Sequence, residues 1–188
     1  MKVTLSALVL SLTLALPALA KEKEVAGVKF PETISVEGKE LKLNGAGLRT
    51  KAIFKVYTAG LYVETTSKDS QQLISSDQVK RVRMTMLRDL EKSKITDAIS
   101  DGIEKNNKAQ MAALKQRLDT FNAAIPDLKK GDELLLTYVP GQGTTVESKA
   151  GQKISVEGKD FADALFGVWL GKNPVDGDLK DGMLGKED

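Results

Sequence analysis

Arg49 has the clearest chemical potential in the sequence, because it places a guanidinium in an apolar stretch of the chain. The stretch, residues 45–64, reads GAGLRTKAIFKVYTAGLYVE and is rich in the apolar, β-branched and aromatic residues typical of strands. A charged residue on a half-buried strand commonly faces solvent and keeps the sheet soluble. If Arg49 faces inward instead, burial of its charge is costly and must be offset by an anion. That anion is either a ligand or an acid of the chain itself, for which the candidates are Asp89, Glu91 and Glu133.

The chain contains no histidine and no cysteine. It therefore lacks the usual imidazole and thiolate ligands of zinc and copper, and the commonest general base near neutral pH. Disulfides and thiol chemistry are excluded as well. Any catalysis must use arginine, lysine, tyrosine, acidic or hydroxyl side chains, and we predict that the protein works without a metal or other cofactor.

The N-terminal segment MKVTLSALVLSLTLALPALA, residues 1–20, has the pattern of a secretory signal peptide. One lysine precedes an apolar run, residues 5–16, and Pro17 and a small-x-small sequence follow it. The run is too short for a comfortable transmembrane span, and no later segment supplies one. We predict cleavage after Ala20 and export of the mature chain to a bacterial periplasm, without a membrane span.

The mature chain, residues 21–188, has a length that suits one domain with a sizeable core. Without Lys2, 27 of the 28 basic residues remain beside 26 acidic ones, a net charge of +1 with both signs mixed along the chain. This distribution lacks the basic footprint of a nucleic-acid-binding protein. We expect a monomer whose partner is a small molecule.

Strand patterns dominate the first part of the mature chain. Short strands are predicted within residues 25–64, separated at Pro31, at Gly38 and at the sequence NGAG of residues 44–47. The segment VKRVRMTML, from Val79, alternates strictly between two faces. One face carries Val82, Met84 and Met86, and the other carries Arg81, Arg83 and Thr85. The pattern predicts a strand with one buried and one wet or functional face.

Helical periodicity begins near Ser93 and extends to about Asn107, and a second helix is predicted from about Lys108. The second helix has an apolar stripe typical of a core face, formed by Met111, Leu114, Leu118, Phe121 and Ile125. Three strand-like segments follow. A helix from Lys159, stopped by Gly171, and a short amphipathic helix complete the chain. This order predicts an α+β fold, with an antiparallel sheet covered by helices on one face.

Three segments together resemble the chalcone isomerase-like family. They read GLRTKAIFKVYTAGLYVE, MTMLRDLEKSKITDAISDGI and FADALFGVWLGKNPVDGDLKDGMLG, in the order found in that family, and the resemblance covers residues 25–185. It implies an open-faced β-sandwich, with helices layered on a large antiparallel sheet and a ligand cleft between the two layers. Arg49 matches the arginine of the family's cleft, which favours the inward orientation.

The resemblance to the plant enzymes of this family, which close a flavanone ring, is incomplete. Their strand threonine falls at Tyr57 or Thr58, depending on the register. Where they have a tyrosine, this chain reads LRDLEKSKI, and their asparagine meets TDAISDG. Their late threonine or serine meets residues 166–168. Because most of the hydrogen-bonding positions are lost, we expect no flavanone-forming activity.

Another branch of the family binds fatty acids, and there the arginine and a strand tyrosine hold the carboxylate. This arrangement needs only a guanidinium, a phenol and an apolar tunnel. Tyr62 is the best match for the tyrosine, yet on one uninterrupted strand its side chain and that of Arg49 point to opposite faces. Either a bulge or turn intervenes, near residues 50–52, or Tyr57 is the partner of Arg49.

The leading hypothesis is an exported protein that binds a small amphipathic ligand bearing a carboxylate, such as a fatty acid. Arg49 anchors the anion, Tyr62 or Tyr57 donates a hydrogen bond, and Thr58 lies beside them. Ile99, Ile103 and Val168 are the expected apolar wall. The alternative is an isomerase, acting as an intramolecular lyase on an enone or phenolic substrate, with Arg49 as electrophilic helper. A third possibility is an interaction protein with a collapsed cleft.

Overall fold

The computed structural model describes residues 21–149 and 153–186, so the predicted signal peptide lies outside the described residues. Nine strands form a two-stranded and a seven-stranded sheet, both antiparallel. The strands are β1 Glu22–Val25, β2 Val28–Pro31, β3 Thr33–Val36, β4 Lys39–Lys51, β5 Phe54–Val63, β6 Lys80–Met86, β7 Glu133–Val139, β8 Gly143–Ser148 and β9 Ile154–Val156. The helices are α1 Ser70–Ser75, α2 Lys92–Asn107, α3 Met111–Ala124, α4 Lys159–Leu170 and α5 Gly177–Met183, and a 3₁₀ turn, Lys108–Gln110, joins α2 to α3.

The large sheet runs from β3 to β9 in chain order, so each strand pairs with its neighbour in sequence. Its helical face is the main hydrophobic core. The alternating residues of β6 divide as predicted, and Val82, Met84 and Met86 are buried there against the helices. Helix α4 is buried along nearly its whole length, between the sheet and α2. The predicted sheet with helices on one face is confirmed.

The other face of the sheet is covered only in part, by the hairpin of β1 and β2. Phe30 of this hairpin and Tyr62 of β5 are fully buried in a second, smaller cluster. Arg83 emerges beside them, with its guanidinium over the Phe30 ring and paired with Glu133. Its position agrees with the wet face predicted for β6.

The two helices predicted from residue 93 onward are confirmed as α2 and α3. The stripe of α3 packs into the core as expected, with Leu114, Leu118, Phe121 and the following Ile125 buried and Met111 packed against them. Helix α1 was not predicted from the sequence, since it contains one apolar turn only. Asp69 caps it by accepting hydrogen bonds from the backbone amides of Gln71 and Gln72.

The prediction that NGAG separates two strands is wrong, because β4 passes through residues 44–47 with a register shift between Leu43 and Gly45. The glycines serve packing instead of a turn. A Cβ at Gly45 would lie 2.6 Å from the amide nitrogen of Gly185, and one at Gly47 would lie 3.0 Å from the carbonyl oxygen of Leu179. Glycine thus lets the backbone of α5 approach β4 directly.

Lys80 is the buried charge of the helical face, with 1 % of its side chain exposed. Its ammonium donates hydrogen bonds to the carbonyl oxygens of Leu73, Ile74 and Ser76, at the C-terminal end of α1. A cation at this end of a helix satisfies carbonyl groups that have no partner within the helix. Burial, with the nearby charge of Lys159 as a second cause, lowers the pKa of Lys80 to about 8.

This low pKa predicts a rise in stability at alkaline pH. The unfolded chain keeps the Lys80 proton up to its ordinary pKa of 10.5, so the penalty for burying the charge applies in full below pH 8 and is relieved as the pH rises. Relative to Lys80→Met, the free energy of unfolding of the wild-type protein should increase by about 2 kcal/mol between about pH 8 and pH 9.5. Urea titrations of both proteins measure this difference, and a constant difference would contradict the burial of a charged lysine.

Candidate ligand-binding cleft

A cleft of about 850 Å³ opens between the helical face of the sheet and helices α2 and α4. Strands β4 to β6 form its floor, and the segment after α4 closes one side. Polar groups of Arg49, Tyr57 and Trp169 lie at its inner end. The predicted cleft between the two layers is therefore present, and the cleft is not collapsed.

Arg49 enters the cleft because β4 and β5 form a hairpin. Its cross-strand neighbour is Tyr57, and the register shifts between Arg49 and Thr50. Directly paired residues of antiparallel strands project from the same face, so both side chains point toward the helices. Arg49 is half-buried, and the carbon of its guanidinium lies 5.5 Å from the centre of the Tyr57 ring. At this distance the ring attracts the charge without neutralising it.

Trp169 of α4 completes the polar end of the cleft. Its indole Nε1 donates a hydrogen bond of 3.0 Å to the hydroxyl oxygen of Tyr57. Burial raises the pKa of Tyr57, against the opposing effects of the Arg49 charge and the Trp169 bond, so the phenol is neutral and keeps its proton. Its two polar neighbours, a guanidinium and an indole, have only N–H donors to offer. The Tyr57 hydroxyl proton is thus available to an acceptor in the cleft.

The acidic residues considered as partners of Arg49 form other contacts. Asp89 accepts hydrogen bonds from Lys129 and from the amide of Lys130. Glu133 pairs with Arg83 on the other face of the sheet. Asp176 also lies near the site, where its charge acts on Tyr57, and its oxygens accept hydrogen bonds from the amides of Thr50, at 3.2 Å, and of Leu179, at 2.9 Å.

Glu91 lines the cleft at the start of α2, without a side-chain hydrogen bond to the helix end. Neither it nor any other acid among residues 21–149 and 153–186 forms an ion pair with Arg49. The internal partner considered for Arg49 is therefore not found in the described chain.

Apolar side chains form the middle of the cleft, and they come from the sheet and both helices. They are Val56, Met84, Ile95, Ile99, Val168 and Val175. Ile99 and Val168 lie where they were predicted. The prediction for Ile103 is wrong, because this residue lies one helical turn farther along α2 and is buried in the core. Alternating lysines and acids of α2 and the preceding loop surround the mouth.

Tyr62 and Thr58 do not meet Arg49. Both project from the opposite face of β5, because each lies an odd number of positions after Tyr57, five for Tyr62 and one for Thr58. Tyr62 is fully buried, and its hydroxyl donates to the carbonyl oxygen of Pro31 at 3.1 Å. Thr58 is fully buried, and its hydroxyl oxygen has no partner in the described structure. The structure therefore brings together Arg49 and Tyr57 and leaves Tyr62 and Thr58 outside the cleft.

The family model described as chalcone isomerase-like matches residues 22–185. The chain belongs to the chalcone isomerase-like family. Among solved structures, this chalcone isomerase-like protein is similar to the crystal structure of a fatty-acid binding protein from Arabidopsis thaliana, with 18 % identity and a TM-score of 0.66 over 84 % of this chain and 92 % of that one. A comparison with curated protein sequences finds no match. The predicted chalcone isomerase-like fold is thereby confirmed.

No helix in the described part of this chalcone isomerase-like protein has the length and apolar character needed to cross a bilayer. Across the same residues, acidic side chains do not gather in a group of three or more that could hold a metal ion.

Proposed function

We propose that this protein binds a small amphipathic molecule with a carboxylate, such as a fatty acid. The head of the ligand lies at Arg49 and Tyr57, and its apolar chain lies along Ile99, Met84 and Val168. The observation that carries this proposal is the convergence of two donors, the Arg49 guanidinium and the Tyr57 hydroxyl that Trp169 holds by a hydrogen bond, at the inner end of an apolar cleft. A guanidinium and a phenol that point into one apolar cleft suit an anion.

The cleft is larger and more apolar than the binding site of a small inorganic anion needs to be. Its volume of about 850 Å³ and its valine, isoleucine and methionine lining suit an alkyl chain. Similarity to a protein described as fatty-acid binding supports the same class of ligand. A half-buried guanidinium without its own carboxylate gains most from a ligand that supplies one.

The proposal includes export and the absence of flavanone formation. Residues 1–20 support export by their pattern, and analysis of the N-terminus of protein isolated from its native host should find Lys21. The loss of the plant enzymes' hydrogen-bonding positions supports binding without ring closure. The alternative function is an isomerase or lyase. The observation in its favour is that Arg49 and Tyr57 lie in one cleft, where the same donors can stabilise a developing enolate.

Trp169 provides a direct test, since it is the single tryptophan of the chain and its indole nitrogen lies at the proposed head group. Titration of the protein with dodecanoate should change the tryptophan fluorescence in a saturable way. Dodecanol has the same chain without the charge, and it should bind at least tenfold more weakly, because hydrogen bonds to ionised groups contribute roughly 1.5–3 kcal/mol. Equal affinities for both compounds would remove the basis of a carboxylate site.

Two tyrosine variants separate the two candidate donors. Tyr57→Phe deletes the hydroxyl in the cleft and should weaken dodecanoate binding about tenfold. Tyr62→Phe is the matched control, because it deletes a buried hydroxyl of the same strand on the opposite face. It should leave the affinity unchanged. The reverse result would show that the ligand lies elsewhere.

A further inference from the structure

The turn between β4 and β5 exposes two large hydrophobic side chains. Ile53 is 86 % exposed and Phe54 is 54 % exposed, and no other large hydrophobic residue in the described chain is comparably open to solvent. The two are consecutive and occupy the outermost point of the hairpin, whose last cross-strand pair is Lys51 with Phe54. We call residues 51–55 the hairpin tip.

The residues of the hairpin tip are poorly suited to the turn itself. Two-residue hairpin turns favour asparagine and glycine, because their backbone includes positive φ angles. Here the two turn residues are Ala52 and Ile53, and Ala52 has a φ of 54°. An exposed β-branched residue in such a turn aids neither its geometry nor its solubility. Neither the geometry of the turn nor solubility therefore explains why residue 53 is an isoleucine.

Three basic side chains lie beside the apolar point. Lys51 and Lys55 flank it and both are exposed, and the segment between them contains no acid. The guanidinium carbon of Arg88 lies 5.0 Å from the centre of the Phe54 ring. In the described parts of the chain, none of these three cations is engaged in an ion pair. The hairpin tip is thus apolar at its end and cationic around it.

The hairpin tip also borders the mouth of the cleft. Lys51, Ala52 and Phe54 belong to the cleft lining, as does Arg88 on the facing loop. A surface that contacts the hairpin tip therefore lies next to the opening through which a ligand enters.

We propose that the hairpin tip docks this protein onto anionic lipid membranes. Ile53 and Phe54 enter the boundary between head groups and acyl chains, and Lys51, Lys55 and Arg88 contact lipid phosphates. This inference rests on the proposed function. An amphipathic carboxylate partitions into bilayers, and the mouth of the cleft faces the bilayer when the hairpin tip is docked. Two side chains cover far less than the roughly 1,000 Å² of a specific protein interface, whereas an apolar point flanked by three cations is sufficient for a reversible contact with lipid.

Co-sedimentation with vesicles tests the docking. The wild-type protein should bind vesicles of phosphatidylcholine and phosphatidylglycerol, bind pure phosphatidylcholine much more weakly, and dissociate as salt is added. Ile53→Ser should reduce binding to the anionic vesicles about tenfold. Lys55→Glu should reduce it at least fivefold. Lys68→Glu is the matched control, because Lys68 is an exposed lysine beyond the opposite end of β5, and it should behave like the wild-type protein.

Three results would overturn the docking proposal. They are equal binding to neutral and anionic vesicles, unchanged binding of Ile53→Ser, and a dimer in analytical ultracentrifugation that Ile53→Ser dissociates while neither protein binds vesicles. The last result would assign the hairpin tip to a second copy of the chain. Titration of Ile53→Ser with dodecanoate in vesicle-free solution should give wild-type affinity, since Ile53 lies outside the cleft lining. Failure of docking is thereby distinguished from failure of ligand binding.

Discussion

Replacement of Arg49 by methionine is expected to weaken dodecanoate binding about a hundredfold. Methionine preserves the apolar stem of the side chain and removes the guanidinium, so the carboxylate loses the cation proposed to bind it. A bidentate pair contains two charge-assisted hydrogen bonds, and hydrogen bonds to charged groups contribute about 1.5–3 kcal/mol each before desolvation is offset. Isothermal titration calorimetry is the appropriate measurement, because Arg49 and Trp169 both contact Tyr57 and a change at Arg49 alters the surroundings of the indole.

Three controls test whether the loss of affinity comes from the charge of Arg49. Dodecanol should bind Arg49→Met and wild-type protein equally, because it carries no charge for Arg49 to pair with. Arg49→Lys keeps the charge and loses the planar fork, so its affinity should lie between those of the other two proteins. Arg83→Met removes an arginine of the opposite face that is already paired with Glu133, and dodecanoate affinity should not change.

Two outcomes would redirect the assignment. Unchanged dodecanoate affinity of Arg49→Met would show that the head group lies away from the inner end of the cleft. Conversion of a hydroxychalcone to a flavanone by wild-type protein, abolished in Arg49→Met, would support the isomerase instead of the binding protein. The same purified proteins serve both assays.

The position of the hairpin explains why the sequence left two candidate tyrosines. Turn signals are strongest at residues 44–47, where Asn44 and two glycines occur, and weakest at Ala52 and Ile53, where the chain actually turns. Glycines that admit α5 and glycines that form turns look alike in a sequence. Once β4 and β5 are known to pair, strand alternation alone selects Tyr57 over Tyr62.

The elements themselves were predictable where one periodicity extends over many residues. Helix α3 and strand β6 are examples, since each buries the face that its sequence pattern indicates. Chemical roles that arise from distant pairing were not predictable. Trp169 has the periodicity of a core residue, and its bond to Tyr57 joins residues 112 positions apart. Lys80 is the first residue of the alternating strand β6, and its partners lie at the end of a helix that the sequence did not reveal.

The second large effect is expected from substitution of Gly45, because this residue lets the backbone of α5 pack against β4, the strand that carries Arg49. A Cβ on this residue would lie 2.6 Å from the amide nitrogen of Gly185 and 2.9 Å from the carbonyl oxygen of Met183, besides contacting the carbonyl oxygen of Gly182. All three atoms belong to the backbone, so no side chain can move aside. Gly45→Ala should therefore separate α5 from β4 and lower the free energy of unfolding by about 3 kcal/mol, measured by urea denaturation.

Gly177→Ala is the matched control, because Gly177 begins the same helix and a Cβ there meets no atom within 4 Å. Its free energy of unfolding should change by less than about 1 kcal/mol, since alanine is the better helix former. The displacement in Gly45→Ala should also reach the cleft: Asp176, which caps α5, accepts the amide of Thr50 beside Arg49. Dodecanoate affinity should therefore fall in Gly45→Ala and not in Gly177→Ala. A stable Gly45→Ala protein with wild-type affinity would show that α5 does not hold β4 in register at the site.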